Sequence, residues 1–81
     1  MKVRVKLFAV ARQRIGRESI DVELSSPATI QHLRGALVEQ HPTLIDVVPH
    51  VRFAVDSEYA NDAMVIPATA EIAIIPPVSG G

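Results

Sequence analysis

Lys2-Val3-Arg4-Val5-Lys6-Leu7-Phe8 alternates strictly between long cations and apolar side chains. Successive side chains of an extended strand point to opposite faces, so Val3, Val5 and Leu7 share one face and Lys2, Arg4 and Lys6 the other. The segment reads as a strand with one side in a core and the other in water. Phe8 falls either outside the inward set, as an exposed partner contact, or at the strand's fraying end, as a core residue. Residues 18–24 repeat the alternation with the opposite charge: Ile20, Val22 and Leu24 point inward, Asp21 and Glu23 outward. Acidic and basic outer faces suit each other across a ladder, which predicts antiparallel pairing of the two segments. The link from Ala9 to Arg17 is too long for a two-residue hairpin and reads as a short helical turn or a wide loop.

Beyond residue 24, Ser25-Ser26-Pro27-Ala28-Thr29 supplies turn chemistry. Thr29 is the preferred N-cap of a following helix, with Ser26 ahead of Pro27 as the alternative. Ile30, Leu33, Leu37 and Val38 fall on one helical face, Gln31, Arg34, Glu39 and Gln40 fall away from it, and Pro42 ends the helix at His41. Leu44, Ile45, Val47 and Val48, between two prolines, read as one short turn capping the core. Val51 to Val55 alternates as a third strand with Val51, Phe53 and Val55 inward, and Asp56-Ser57 starts a turn. Ala63 to Ile66 is a candidate edge strand stopped by Pro67, and Glu71 to Ile75 is the last strand, with Ile72 and Ile74 inward.

Each strand offers one apolar face and the helix one apolar stripe, so a single main helix packs across one face of a mixed sheet of four to five strands. The last strand can lie parallel to the first, because the intervening segments allow a long crossover. This is an α+β chain with the β-grasp, or ubiquitin-like, arrangement. Residues 1–75 form the domain and residues 76–81 an extended tail.

Composition narrows the function classes. A chain of 81 residues buries only about 60 to 65% of its unfolded surface, enough for one small core and no cleft between lobes. Eight basic and nine acidic residues leave a formal charge of −1, with no electrostatic footprint for nucleic acid or an anionic membrane. The absence of cysteine excludes disulfides and zinc–thiolate sites, and a cytoplasmic location is the simplest expectation. No apolar run approaches the roughly 18 to 20 residues of a membrane span.

The chemistry concentrates at Pro76-Pro77-Val78-Ser79-Gly80-Gly81. Two prolines cannot continue a sheet ladder and favour an extended path, and two glycines let another protein's active site close around the main chain. The terminal carboxyl of Gly81 has an ordinary pKa of roughly 3.3 to 3.7, so it is ionised at neutral pH and a poor electrophile until something activates it.

Two stretches resemble the small, sulfur-carrying subunit of molybdopterin synthase, and the likeness covers the whole chain in length and element order. One is Val5-Lys6-Leu7-Phe8-Ala9-Val10-Ala11-Arg12, and the more specific one is Ile75-Pro76-Pro77-Val78-Ser79-Gly80-Gly81. The resemblance implies that an enzyme related to ubiquitin E1 uses ATP to adenylate Gly81 and that sulfur from a donor protein replaces AMP to give a thiocarboxylate. It further implies that the tail, Pro76 to Gly80, inserts into the large synthase subunit, where the sulfur attacks a cyclic pyranopterin precursor to build the dithiolene. A family-like assembly has two small and two large subunits, with the catalytic residues on the large one. Phe8, Arg12 and Ile75 map to partner contacts around the tail root, and no cofactor is expected on this chain itself. Family members often carry an aromatic residue at position 75, Asn at position 56 and a Gly-Asp turn around 68–70; the Ile, Asp and Ala-Thr-Ala here change interface packing and turn geometry and leave the diglycine untouched.

Other chemistry-bearing residues form no constellation. His32, His41 and His50 stand nine apart, which neither shares a helical face nor gives a metal-ligand pattern. Asp21 and Glu23 point outward with no neighbouring base, and Ser79 has no histidine partner. Arg14 and Arg17 read as a solvated loop; Arg12 alone has family support. The other readings are the thiamin-pathway sulfur carrier of the same fold, a ubiquitin-like modifier joined through Gly81 to lysines, and an interaction domain with an inert tail.

Overall fold

The computed structural model describes residues 1–76, so Pro77, Val78, Ser79, Gly80 and Gly81 lie outside the described residues. Five strands, β1 (Lys2–Lys6), β2 (Ser19–Glu23), β3 (Arg52–Val55), β4 (Glu58–Ala60) and β5 (Ile72–Ile75), form one mixed sheet in the order β2-β1-β5-β3-β4. Two helices, α1 (Ala9–Ile15) and α2 (Ile30–Gln40), and 3-10 turns at Pro42–Leu44 and Val48–His50 complete the fold.

β1 and β2 pair antiparallel with Lys2 opposite Glu23 and Arg4 opposite Asp21, the register that the complementary charges favour. β5 runs parallel to β1 and antiparallel to β3. The final strand therefore separates β1 from β3. The inward sets meet the apolar stripe of α2: Val5, Val22, Leu33, Leu37, Phe53, Ile72 and Ile74 are all buried, with Leu44 closing one end. No charged or polar residue is buried among those described.

Thr29 caps α2 as its spacing suggests. Its hydroxyl accepts from the His32 backbone N–H at 3.3 Å while the His32 Nδ1 accepts from the Thr29 N–H at 3.0 Å, a reciprocal capping box. The link after β1 is a two-turn helix, α1, closed by Gly16 at φ 77°, where an L side chain would be strained. Arg14 on α1 donates to Asp46 and to the Thr43 carbonyl, tying the helix to the turn region. That hydrogen bond holds the Asp46 carboxyl below its usual range.

Three expectations are corrected. The edge strand is β4, at Glu58–Ala60, and not Ala63 to Ile66; in the latter segment Val65 makes only an isolated bridge to Thr29. The reason is the Asp56-Ser57 turn. Both residues are left-handed, at φ 49° and 72°, the paired positive angles of a two-residue hairpin, so the chain returns immediately and Val55 pairs with Glu58. Reciprocal bonds hold this turn, with the Asp56 N–H donating to the Glu71 carbonyl at 2.8 Å and the Glu71 N–H to the Asp56 carboxylate at 2.9 Å. The second correction is Arg34, expected to face solvent. It folds back instead, with Nε 3.0 Å from Asp62 Oδ1, Nη1 2.7 Å from the Val48 carbonyl and its guanidinium 4.8 Å from the Phe53 ring centroid. The region between Pro42 and Pro49 forms two 3-10 turns where one was expected.

Candidate functional site

The face of the sheet away from α2 divides into two parts. On β1 and β2 the outward residues are charged and matched, with Lys2 3.9 Å from Glu23 and Arg4 3.5 Å from Asp21. On β5, β3 and β4 the register aligns Lys6, Ala73, Ala54 and Tyr59 in one row, and Ile75 beside Arg52 in the next. Continuing the β1–β5 register by two residues from Lys6 and Ala73 sets Phe8 beside Ile75. The result is an open depression of about 360 Å³ at the root of the tail. Ala54 and Ala73 are its small floor, Phe8, Ile75 and Tyr59 its apolar walls, and Ser57 with the Lys6–Glu71 pair, 3.4 Å apart, its polar rim.

Phe8 is held there against local preference. It is the N-cap of α1 and makes no side-chain capping bond, at a position where Ser, Thr, Asp or Asn would satisfy a free helix N–H. Its backbone is extended, and Ala9 after it is left-handed at φ 51°, a strained angle for a residue with a Cβ. This abrupt reversal takes the chain from the sheet into α1 and leaves the ring 43% exposed. A large apolar side chain at a cap and in water contributes little to folding.

Of the site residues expected from sequence, Phe8 and Ile75 line this depression. Pro76 follows, half-buried. Arg12 lies elsewhere: it sits on α1 with Nη2 3.3 Å from Glu18 Oε1, beside a separate shallow depression that it shares with Ala9, Gln13 and Gly16. The rest of the tail, Pro77 to Gly81, is outside the described residues. Sequence reading missed Tyr59, which is 59% exposed, because it missed β4. Among the described residues no group of three His, Cys, Asp or Glu could hold a metal ion, and no helix is long and apolar enough to cross a membrane.

The model of the ThiS family matches residues 5–81, which includes the depression and the whole tail. The chain belongs to the ThiS family. Within reach of this ThiS-family chain are curated relatives called molybdopterin synthase sulfur carrier subunit. One from Arabidopsis thaliana is 36% identical over 81 residues, covering all of this chain and 84% of the relative. Another from Caenorhabditis briggsae is 36% identical over 83 residues, covering 100% and 99%. Among solved structures, SAMP1 from Haloferax volcanii, a small archaeal modifier protein, superposes with a TM-score of 0.84 at 30% identity over 100% of both chains. The ThiS-family β-grasp core is thus shared along its full length.

Proposed function

We propose that this chain is the sulfur carrier subunit of a molybdopterin synthase. The observation that carries the reading is its full-length likeness, at 36% identity, to two relatives of that name. Gly81 is the residue that reacts. Its carboxylate oxygen attacks the α-phosphorus of ATP in an E1-like enzyme, pyrophosphate leaves, and the acyl-adenylate is then open to sulfur. Hydrosulfide attacks the acyl carbon, AMP leaves with the electron pair of the broken C–O bond, and loss of the S–H proton gives a thiocarboxylate, which is anionic at neutral pH and a far better nucleophile than the carboxylate it replaces. The chain supplies a graspable main-chain end and a docking face at the tail root, where Phe8, Ile75 and Tyr59 seat the large subunit.

The test is intact-mass measurement of the full-length chain after incubation with the activating enzyme, ATP and a sulfur source, followed by the large subunit and the cyclic pyranopterin. The expected result is a gain equal to the difference between sulfur and oxygen, reversed when the large subunit and precursor are added. An unchanged mass sinks the reading. The likeness to SAMP1 favours a second reading, a protein modifier; a stable adduct of Gly81 on lysines of other proteins, with no dithiolene formed, would select it.

A further inference from the structure

Six of the eight Lys and Arg side chains have a carboxylate within 4 Å, whereas among the described residues Arg17 and Arg52 do not. The two differ in setting. Arg17 lies in the bend before β2, by a small depression shared with Arg4, Ser19 and Asp21 at one edge of the sheet. Arg52 lies on the opposite half, directly across from Ile75 in the β3–β5 register, and its guanidinium stacks 4.0 Å from the Tyr59 ring centroid. Tyr59 is shared between the apolar depression and a neighbouring one of about 460 Å³ that Arg52 lines with Arg34 and Asp62.

Stacking fixes the plane of a guanidinium while leaving its N–H edge free, so less rotamer entropy is lost when that edge meets a carboxylate. Arg34 is already committed: its charge is paired with Asp62, and its Nη1 donates to the Val48 carbonyl. A preset cation with no carboxylate within 4 Å among the described residues, bordering an apolar docking face at the tail root, has the form of a specificity contact. We propose that Arg52, oriented by Tyr59, receives an acidic side chain of the protein into which the tail inserts. The assignment rests on the subunit reading above and adds a charged register mark to an otherwise apolar contact, at the point where Ile75 leads into the tail.

The experiment measures binding of the full-length chain to the large synthase subunit of its own source, at low and moderate salt, for the parent and for R52Q, R52E, R52K, R17Q and R17E. Thermal melts of each variant confirm folding. R52E is expected to weaken binding by at least about tenfold and R17E by less than about twofold, because only the former buries a repulsive charge. R52Q should lower the salt dependence, and R52K should fall between parent and R52Q, since it keeps charge and loses the planar stack. If R52E binds within about twofold of the parent, or R17E loses as much as R52E, the assignment is overturned. A parent chain that fails to bind at all overturns the subunit reading with it, while a parent that binds beside an unaffected R52E overturns the Arg52 assignment alone.

Discussion

The two halves of the outer sheet face follow different rules. On β1 and β2 the outward Lys2 and Arg4 each stand across from a carboxylate, so this part of the surface satisfies itself and offers a partner little beyond hydration water. On β5, β3 and β4 the outward residues are alanines, Ile75, Tyr59 and a stacked arginine, joined by Phe8 from the end of β1. Both halves face away from α2 and rest on the same core. The difference shows where stability and binding part company: paired charges tolerate water indefinitely, while a cluster of large apolar groups at the surface is stabilised only when something covers it.

That contrast can be broken from three sides. The largest effect belongs to the inner face, which both halves share: Phe53→Ala, at a fully buried ring, should cost about 3 to 5 kcal/mol, most of the stability of a domain this small. A chemical-denaturation midpoint checks it, and a loss under about 1 kcal/mol would mean that the core is not continuous beneath the sheet. Next comes Phe8→Asp on the apolar half. Carboxylate at the N-cap of α1 can accept a helix N–H, so the melting temperature should hold or rise, while affinity for the large subunit falls by at least about tenfold. Loss of both together would make Phe8 a structural residue. The smallest effect is Arg4→Gln on the charged half, where an exposed pair contributes under about 1 kcal/mol to stability; binding should not change. A binding defect there as large as that of Phe8→Asp would erase the distinction between the halves.

Much of the fold was legible because its signals are local. Alternation located β1, β2, β3 and β5, and Thr29 marked the start of α2. What escaped depended on geometry that a sequence does not spell out. The hairpin into β4 uses Asp56-Ser57 in place of a glycine-bearing pair, and its left-handed angles are held by bonds from Glu71, fifteen residues away. Placing a turn at Asp56-Ser57 without its immediate return into β4 displaced the edge strand and hid Tyr59. Arg34 looked like a surface residue because helical periodicity says nothing of the Val48 carbonyl and Asp62 that it reaches. The site was half legible for the same reason. Phe8 and Ile75 were named on resemblance, but the depression they share with Tyr59 exists only once the parallel register of β1 and β5 is known.

The place of β5 between β1 and β3 also governs when the molecule comes into being. During synthesis the hairpin of β1 and β2 and the helices can form early, yet the two halves of the sheet have no common ladder until Ile72 to Ile75 has left the ribosome. A chain interrupted before that point leaves a gap in the middle of its sheet, not a frayed edge. Incomplete products therefore lack both the ladder that joins β1 to β3 and the Ala73 and Ile75 that line the binding face.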